Sequence, residues 1–174
     1  AYGSARSETG SNVGGIAGLS SAGIRSSWAK LTLSGKSSVG GIVGSGSEDT
    51  SSSAGSGCTV TDCRSLVVVE DCDQFSGAIS GRDLGVFRGN YFVSDVLRGI
   101  DRRSLSGQAE PMDYAAFCAL DGVPEDFLSF TLRFVCDGRT LKTLRFDYGD
   151  SFDFSVFPSL TEQSGSYPVW DRTN

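Results

Sequence analysis

Asn12-Val-Gly-Gly-Ile-Ala-Gly18, Ser38-Val-Gly-Gly-Ile-Val-Gly44 and Gln74-Phe-Ser-Gly-Ala-Ile-Ser-Gly81 state one pattern three times: polar, apolar, small, Gly, apolar, apolar, small. After each copy a glycine opens a second apolar stretch, Gly23-Ile24 leading to Trp28, Gly57-Cys58 leading to Cys63, and Gly85-Val86 leading to Tyr91. One repeat unit therefore holds two short strands with glycine corners. Val13 and Val39 are 26 residues apart and Val39 and Phe75 are 36 apart, so the second unit carries an insertion. The Ser/Gly tract 45–57, with Glu48 and Asp49, is the place for it, a stretch with little to bury that reads as a loop. Repeats of this length, burying their apolar side only by stacking on the next, predict a β-solenoid over residues 1–95. The competing reading is a flexible Gly/Ser linker, but linkers do not place Ile, Val, Trp and Phe at matching offsets three times.

A chain that turns every few residues needs positions with positive φ, or positions where no Cβ stands between stacked backbones. Gly14, Gly15, Gly18, Gly40, Gly41, Gly44, Gly77 and Gly81 are the structural glycines of the repeat on this reading. Trp28 and Tyr91, at the repeated landmark, are expected to point into the core. Tyr2 precedes Val13 by the same 11 residues that separate Trp28 from Val39, so the chain is expected to enter in mid-repeat, with the remainder of the parent solenoid upstream.

The V-G-G-I-[AV]-G copies resemble the GLUG motif, a repeat of bacterial cell-surface and secreted proteins, including adhesins and non-catalytic regions of IgA-cleaving peptidases. The resemblance covers roughly residues 1–95, and the third copy departs from it at Ser76 and Ala78. It implies a bacterial cell-surface or extracellular location and a role in adhesion or display.

The composition agrees with many short strands: 23 Gly, only 4 Pro, 39% hydrophobic and 21% charged residues in a chain of 174. A net charge of -6 without any cluster of Lys and Arg gives no phosphate-binding face, so nucleic acid is not an expected partner. No apolar run approaches the ~20 residues that cross a bilayer, and membrane insertion of this segment is not expected. Cys58, Cys63, Cys72, Cys118 and Cys136 are odd in number, so they cannot all pair within one chain. They read as buried thiols that pack like small hydrophobes, with a Cys58–Cys63 or Cys63–Cys72 bridge as the alternative. The C-x4-C-x8-C spacing without histidine argues against a zinc site.

Residues 96–126 read as a linker with one short helix over 110–122, where Pro111 suits an early helical position and Gly122 a stop. Tyr114, Phe117 and Cys118 give it one apolar side, expected to seal the junction between the solenoid and the C-terminal module. Residues 127–174 read as that module, small and β-rich. Phe130 to Cys136 and Thr140 to Phe146 alternate apolar and polar around Asp137-Gly138, a strong hairpin signal, and a closing aromatic strand is expected over 165–171. With Tyr148-Gly-Asp-Ser151, Pro158, Gly165, Tyr167 and Trp170, this segment resembles the β-grasp-like repeats of the internalin B-repeat and mucin-binding type. That resemblance makes Trp170 and Tyr167 the candidate ligand-binding residues.

Catalytic strings fail for want of partners. Gly149-Asp150-Ser151 is like a hydrolase nucleophile block, but the chain has no histidine to act as its base. Ser27-Trp-Ala-Lys30 fits S-x-x-K without the companion motifs, and H-E-x-x-H cannot be written at all. Asp147, Asp150 and Asp153 recur every three residues but lack the order of a calcium loop. The reading is thus a mainly β, non-catalytic fragment with no metal and no cofactor. Its partner is a host extracellular protein or glycan. The alternatives are a stalk without a ligand and an accessory region of a larger secreted peptidase or glycosidase.

Overall fold

The computed structural model describes residues 1–47, 57–151 and 153–159. Glu48, Asp49 and most of the Ser/Gly tract, and Gly165, Tyr167, Trp170 and the closing strand expected with them, lie outside the described residues. The chain is mainly β and divides into two compact units, residues 1–123 and 124–174.

In the first unit the strands come in rounds. The first round is β1 (Tyr2–Arg6), β2 (Ser11–Gly14), β3 (Ala17–Ser20) and β4 (Gly23–Arg25). The second is β5 (Trp28–Ser34), β6 (Ser37–Gly40), β7 (Val43–Gly46) and β8 (Thr59–Thr61). The third is β9 (Arg64–Asp71), β10 (Ser76–Gly77) and β11 (Val86–Arg88), followed by β12 (Asn90–Phe92) and β13 (Ala109–Pro111). Each strand pairs in parallel with its counterpart one round later, giving sheets β1-β5-β9-β12-β13, β10-β6-β2, β11-β8-β4 and β3-β7. A repeat unit thus contains up to four short strands, not two. Between Gly46 and Thr59 the second round holds the extra residues, where the first round passes directly from Ser20 to Gly23.

The register corrects the alignment of the third copy. Val13 pairs with Val39, but Val39 pairs with Ser76 and Gly40 with Gly77. The third copy is therefore Ser76-Gly-Ala-Ile-Ser-Gly81, with the same spacing as the first two. Phe75 was a false landmark: it sits at the corner beside Asn12 and Ser38, and all three have positive φ, 65° at Asn12, 55° at Ser38 and 33° at Phe75. Its ring lies under the Arg82 guanidinium at 4.3 Å. At the start of the chain Tyr2 pairs with Lys30, so Tyr2 is not the counterpart of Trp28.

Alternation within β5 sets the two faces of the long sheet. Ala29, Leu31 and Leu33 are buried, while Trp28, Lys30 and Thr32 stand half-buried on the other side. The core continues through Ile24, Val60 and Phe87, aligned across β4, β8 and β11, and through Ile42 and Ile79. Of the left-handed corners, Asn12, Ser38, Ser26 and Asp62 are not glycine, while Gly89 holds the third-round counterpart of Asp62. The repeat glycines serve close approach instead. A Cβ on Gly40 would meet the Gly81 amide nitrogen at 2.5 Å, and one on Gly41 would run into the Ala78 carbonyl oxygen.

The helix is shorter than the pattern 110–122 predicts. Ala109–Pro111 is β13, where Pro111 ends the strand, and α1 spans only Tyr114–Cys118. In the second unit α2 (Glu125–Leu128) leads into β14 (Ser129–Cys136), which pairs antiparallel with β15 (Arg139–Asp147). The turn has positive φ at both central residues, 49° at Asp137 and 73° at Gly138, the geometry that matches strand twist in a two-residue hairpin. Phe130 stacks on Phe146 at 5.4 Å, and Phe134 meets Phe157 edge-on at 4.9 Å.

Candidate functional site

The outer face of the five-stranded sheet gathers the side chains best suited to recognition. Register places Trp28, Arg64, Tyr91 and Glu110 in one row across β5, β9, β12 and β13. Trp28 and Tyr91 thus point away from the core, against expectation. The alternation starts one residue later than the Cys63 landmark implies, so that Cys63 is the buried residue and Arg64 the outer one. Arg64 is fixed twice: its Nη1 donates to the carbonyls of Cys63 at 3.0 Å and Gly89 at 2.8 Å, and its guanidinium lies 4.8 Å from the Tyr91 ring centre. The next rows carry Tyr2, Lys30 and Leu66, then Ser4, Thr32 and Val68. Lys30 Nζ stands 5.8 Å from the Tyr2 ring centre, and Val68 is 61% exposed.

One end of the first row is covered. Phe117 of α1 is fully buried and meets Trp28 edge-on at 5.5 Å, with Tyr114 stacked on Phe117 at 6.2 Å. The apolar side of the helix is thus spent on the outer face of the sheet within its own unit. What stays open is a strip of aromatic, cationic and aliphatic groups on stiff strands, able to stack on rings and to donate hydrogen bonds.

A second feature is a shallow cleft of about 200 Å³ at the bends after β1, β5 and β9, lined by Arg6, Glu8, Lys36, Asp71 and Asp73 among others. Among the described residues no group of His, Cys, Asp and Glu is placed to hold a metal ion. The Asp147–Asp153 series is used in local turns: Asp150 accepts from the Asp147 amide at 2.8 Å, and Asp153 accepts from the amide and hydroxyl of Ser155. Those two bonds from Ser155 hold the Asp153 carboxyl below its ordinary range. The five cysteines are free thiols, and burial pushes Cys58 and Cys63 up from the usual thiol range. No helix among the described residues is long and apolar enough to cross a membrane.

The eight repeat glycines lie in β2, β3, β6, β7 and β10 or beside them, in contact with the neighbouring backbone. Sequence reasoning missed Asn90, which is 1% exposed. Its Oδ1 accepts from the Cys63 amide at 2.9 Å, and its Nδ2 donates to the carbonyls of Val60 and Gln108, both at 2.9 Å. One side chain thereby ties three stretches of backbone. Its position after Gly89 at a corner was the available signal. Comparison with known protein families, characterised proteins and solved structures finds no match to this chain.

Proposed function

We propose that the rounds of the first unit form a β-solenoid and that the chain is a non-catalytic module of a secreted or cell-surface bacterial protein, acting in adhesion or display. The outer face of the five-stranded sheet is its contact surface, and a host extracellular protein or a glycan is the class of partner. The observation that carries this reading is the ordered strip Tyr2, Lys30, Leu66, Val68, Arg64 and Tyr91 on paired strands, with the Arg64 guanidinium already held by two carbonyls. Pre-positioned aromatic and cationic groups lose little side-chain freedom on binding. Parallel pairing at a spacing of 26 residues between Val13 and Val39 supports the solenoid, as does the resemblance of the glycine copies to the GLUG motif. The terminal unit, similar in sequence to internalin B-repeat and mucin-binding modules, is a spacer or second reader.

The test is a glycan and extracellular-matrix array probed with the 174-residue protein, a Leu66→Lys/Val68→Lys variant and a Trp170→Ala variant. Binding lost in the first variant places recognition on the sheet face, and binding lost only in the second moves it to the terminal segment. Absence of binding to any probe would reject adhesion in favour of a stalk. That second reading draws its support from Phe117, which already covers Trp28.

A further inference from the structure

All four strands of the first round end their sheets: β1, β2 and β4 are terminal in theirs, and β3 pairs only with β7. The consequence is visible at one repeated position. The Ile16 amide donates to the Ile42 carbonyl at 3.0 Å, and the Ile42 amide donates to the Ile79 carbonyl at 2.9 Å, so the three are stacked equivalents. Ile42 and Ile79 are 0% exposed, whereas Ile16 is 41% exposed. Ile16 is a core residue bare on one side. Leu19, beside it, is 57% exposed, while its partner Ser45 is buried.

Edges that must stay unpaired are guarded by charge, proline or irregular backbone. The opposite end of the stack is guarded: β13 closes on Pro111, and Ile100 turns back on Arg103 in an antiparallel bridge through the positive-φ residues Asp101 and Arg102. At the first-round edge, β2 (Ser-Asn-Val-Gly) and β3 (Ala-Gly-Leu-Ser) carry neither charge nor proline, and charge enters only at the last residues of the flanking strands, Arg6 of β1 and Arg25 of β4. The backbone there also specifies what fits. A Cβ on Gly15 would run into the Gly41 carbonyl oxygen, and one on Gly41 into the Ala78 carbonyl oxygen. A round laid on the Gly15 carbonyl must bring a glycine to the same place.

We propose that the β1–β4 edge is an acceptor for one further parallel round of the same glycine-cornered type. This rests on the solenoid reading. The next round continues each sheet by backbone hydrogen bonds and covers Ile16 and Leu19, and glycine at the place of Gly15 and Gly41 is its entry requirement.

The experiment adds ahead of Ala1 a round copied from Trp28–Gly46 followed by Ser21–Trp28, which brings Ala1 to the place of Ala29, and compares it with the same extension carrying Gly41→Val in the copy. Hydrogen exchange is read by mass spectrometry on all three proteins. Acceptance of the glycine-bearing round slows exchange of the amides in residues 11–20 by about tenfold or more, and the valine-bearing round does not. Equal exchange with and without the extension, or equal slowing by both extensions, overturns the proposal. Light scattering on the unextended protein gives a further outcome: a dimer that Ile16→Asp converts to monomer assigns the edge to a second copy and also overturns it. Residues 37–46 are the internal control. Rapid exchange there would mean that the rounds do not stack at all, a failure of the solenoid reading and not of the edge alone.

Discussion

Gly41 and Ser65 form a contact that decides how tightly the rounds pack. The Ser65 hydroxyl is fully buried without a hydrogen-bond partner among the described residues, and it lies against the place where a Cβ on Gly41 would stand. An added methyl at Gly41 meets backbone that cannot turn aside, so Gly41→Ala is expected to cost about 3 kcal/mol in urea unfolding, at the upper end for overpacking. Ser65→Ala removes an unsatisfied group at nearly constant volume and is expected to stabilise by about 1 kcal/mol in the same assay. Asn90 is the opposite case. Its three bonds to backbone, two of them buried, all depend on one amide, and Asn90→Ala strands a donor and two acceptors, an expected loss of about 3 kcal/mol.

Thiol chemistry also belongs to the residue scale. Burial favours the protonated form of Cys58 and Cys63, so the folded state holds these protons more tightly than the unfolded chain does. Their contribution to stability is complete below the unfolded thiol range and is lost as pH rises from about 8.5 through the raised folded values. Unfolding midpoints at successive pH values should therefore be flat near neutrality and fall above that point, with the fall reduced in a Cys58→Ala/Cys63→Ala variant. In native protein, iodoacetamide should modify half-exposed Cys72, Cys118 and Cys136 well before Cys58 and Cys63.

At the scale of elements, α1 and the hairpin are short pieces with different supports. α1 is five residues long with no side-chain cap at Asp113, too short to persist alone, so its order comes from Phe117 docking on Trp28. Phe117→Ala should cost about 3 kcal/mol and shift Trp28 emission to the red, because the ring loses its cover. The hairpin is instead specified locally by Asp137-Gly138. Gly138, at φ 73°, should lose about 1 kcal/mol when replaced by alanine, seen as faster amide exchange in β14 and β15. The sequence pattern located this hairpin within a residue or two at each end, because period-two alternation and turn chemistry act over a few residues.

At the scale of the whole molecule, strands of the first unit pair from one round to the next, and on the proposed solenoid reading its stability is shared between neighbouring rounds. Local damage should spread along the stack accordingly. Phe87→Ala, in the third round, is expected to raise amide exchange in β8 and β12 more than in β1, measured strand by strand. The outer rows of the five-stranded sheet likewise exist only while successive rounds hold their register.

Read from residues alone, the chain is already mainly β, its glycines already recur at close-packed places, and a hairpin already turns at Asp137-Gly138. These features depend on periodicity, size and turn chemistry, which are local. Register and the choice of faces came from long-range pairing instead. Phe75 looked like a core residue because it is apolar, but one residue of slip in a period-two strand exchanges inside for outside, and its corner φ puts it beside Arg82. Trp28 and Tyr91 looked inward for the same reason, and the row they make with Arg64 forms only when strands distant in sequence pair. Asn90 was legible only as a polar residue beside a corner glycine, because its three partners lie on stretches that folding alone brings together. Hydrogen bonds across sequence gaps, not composition, chose those positions.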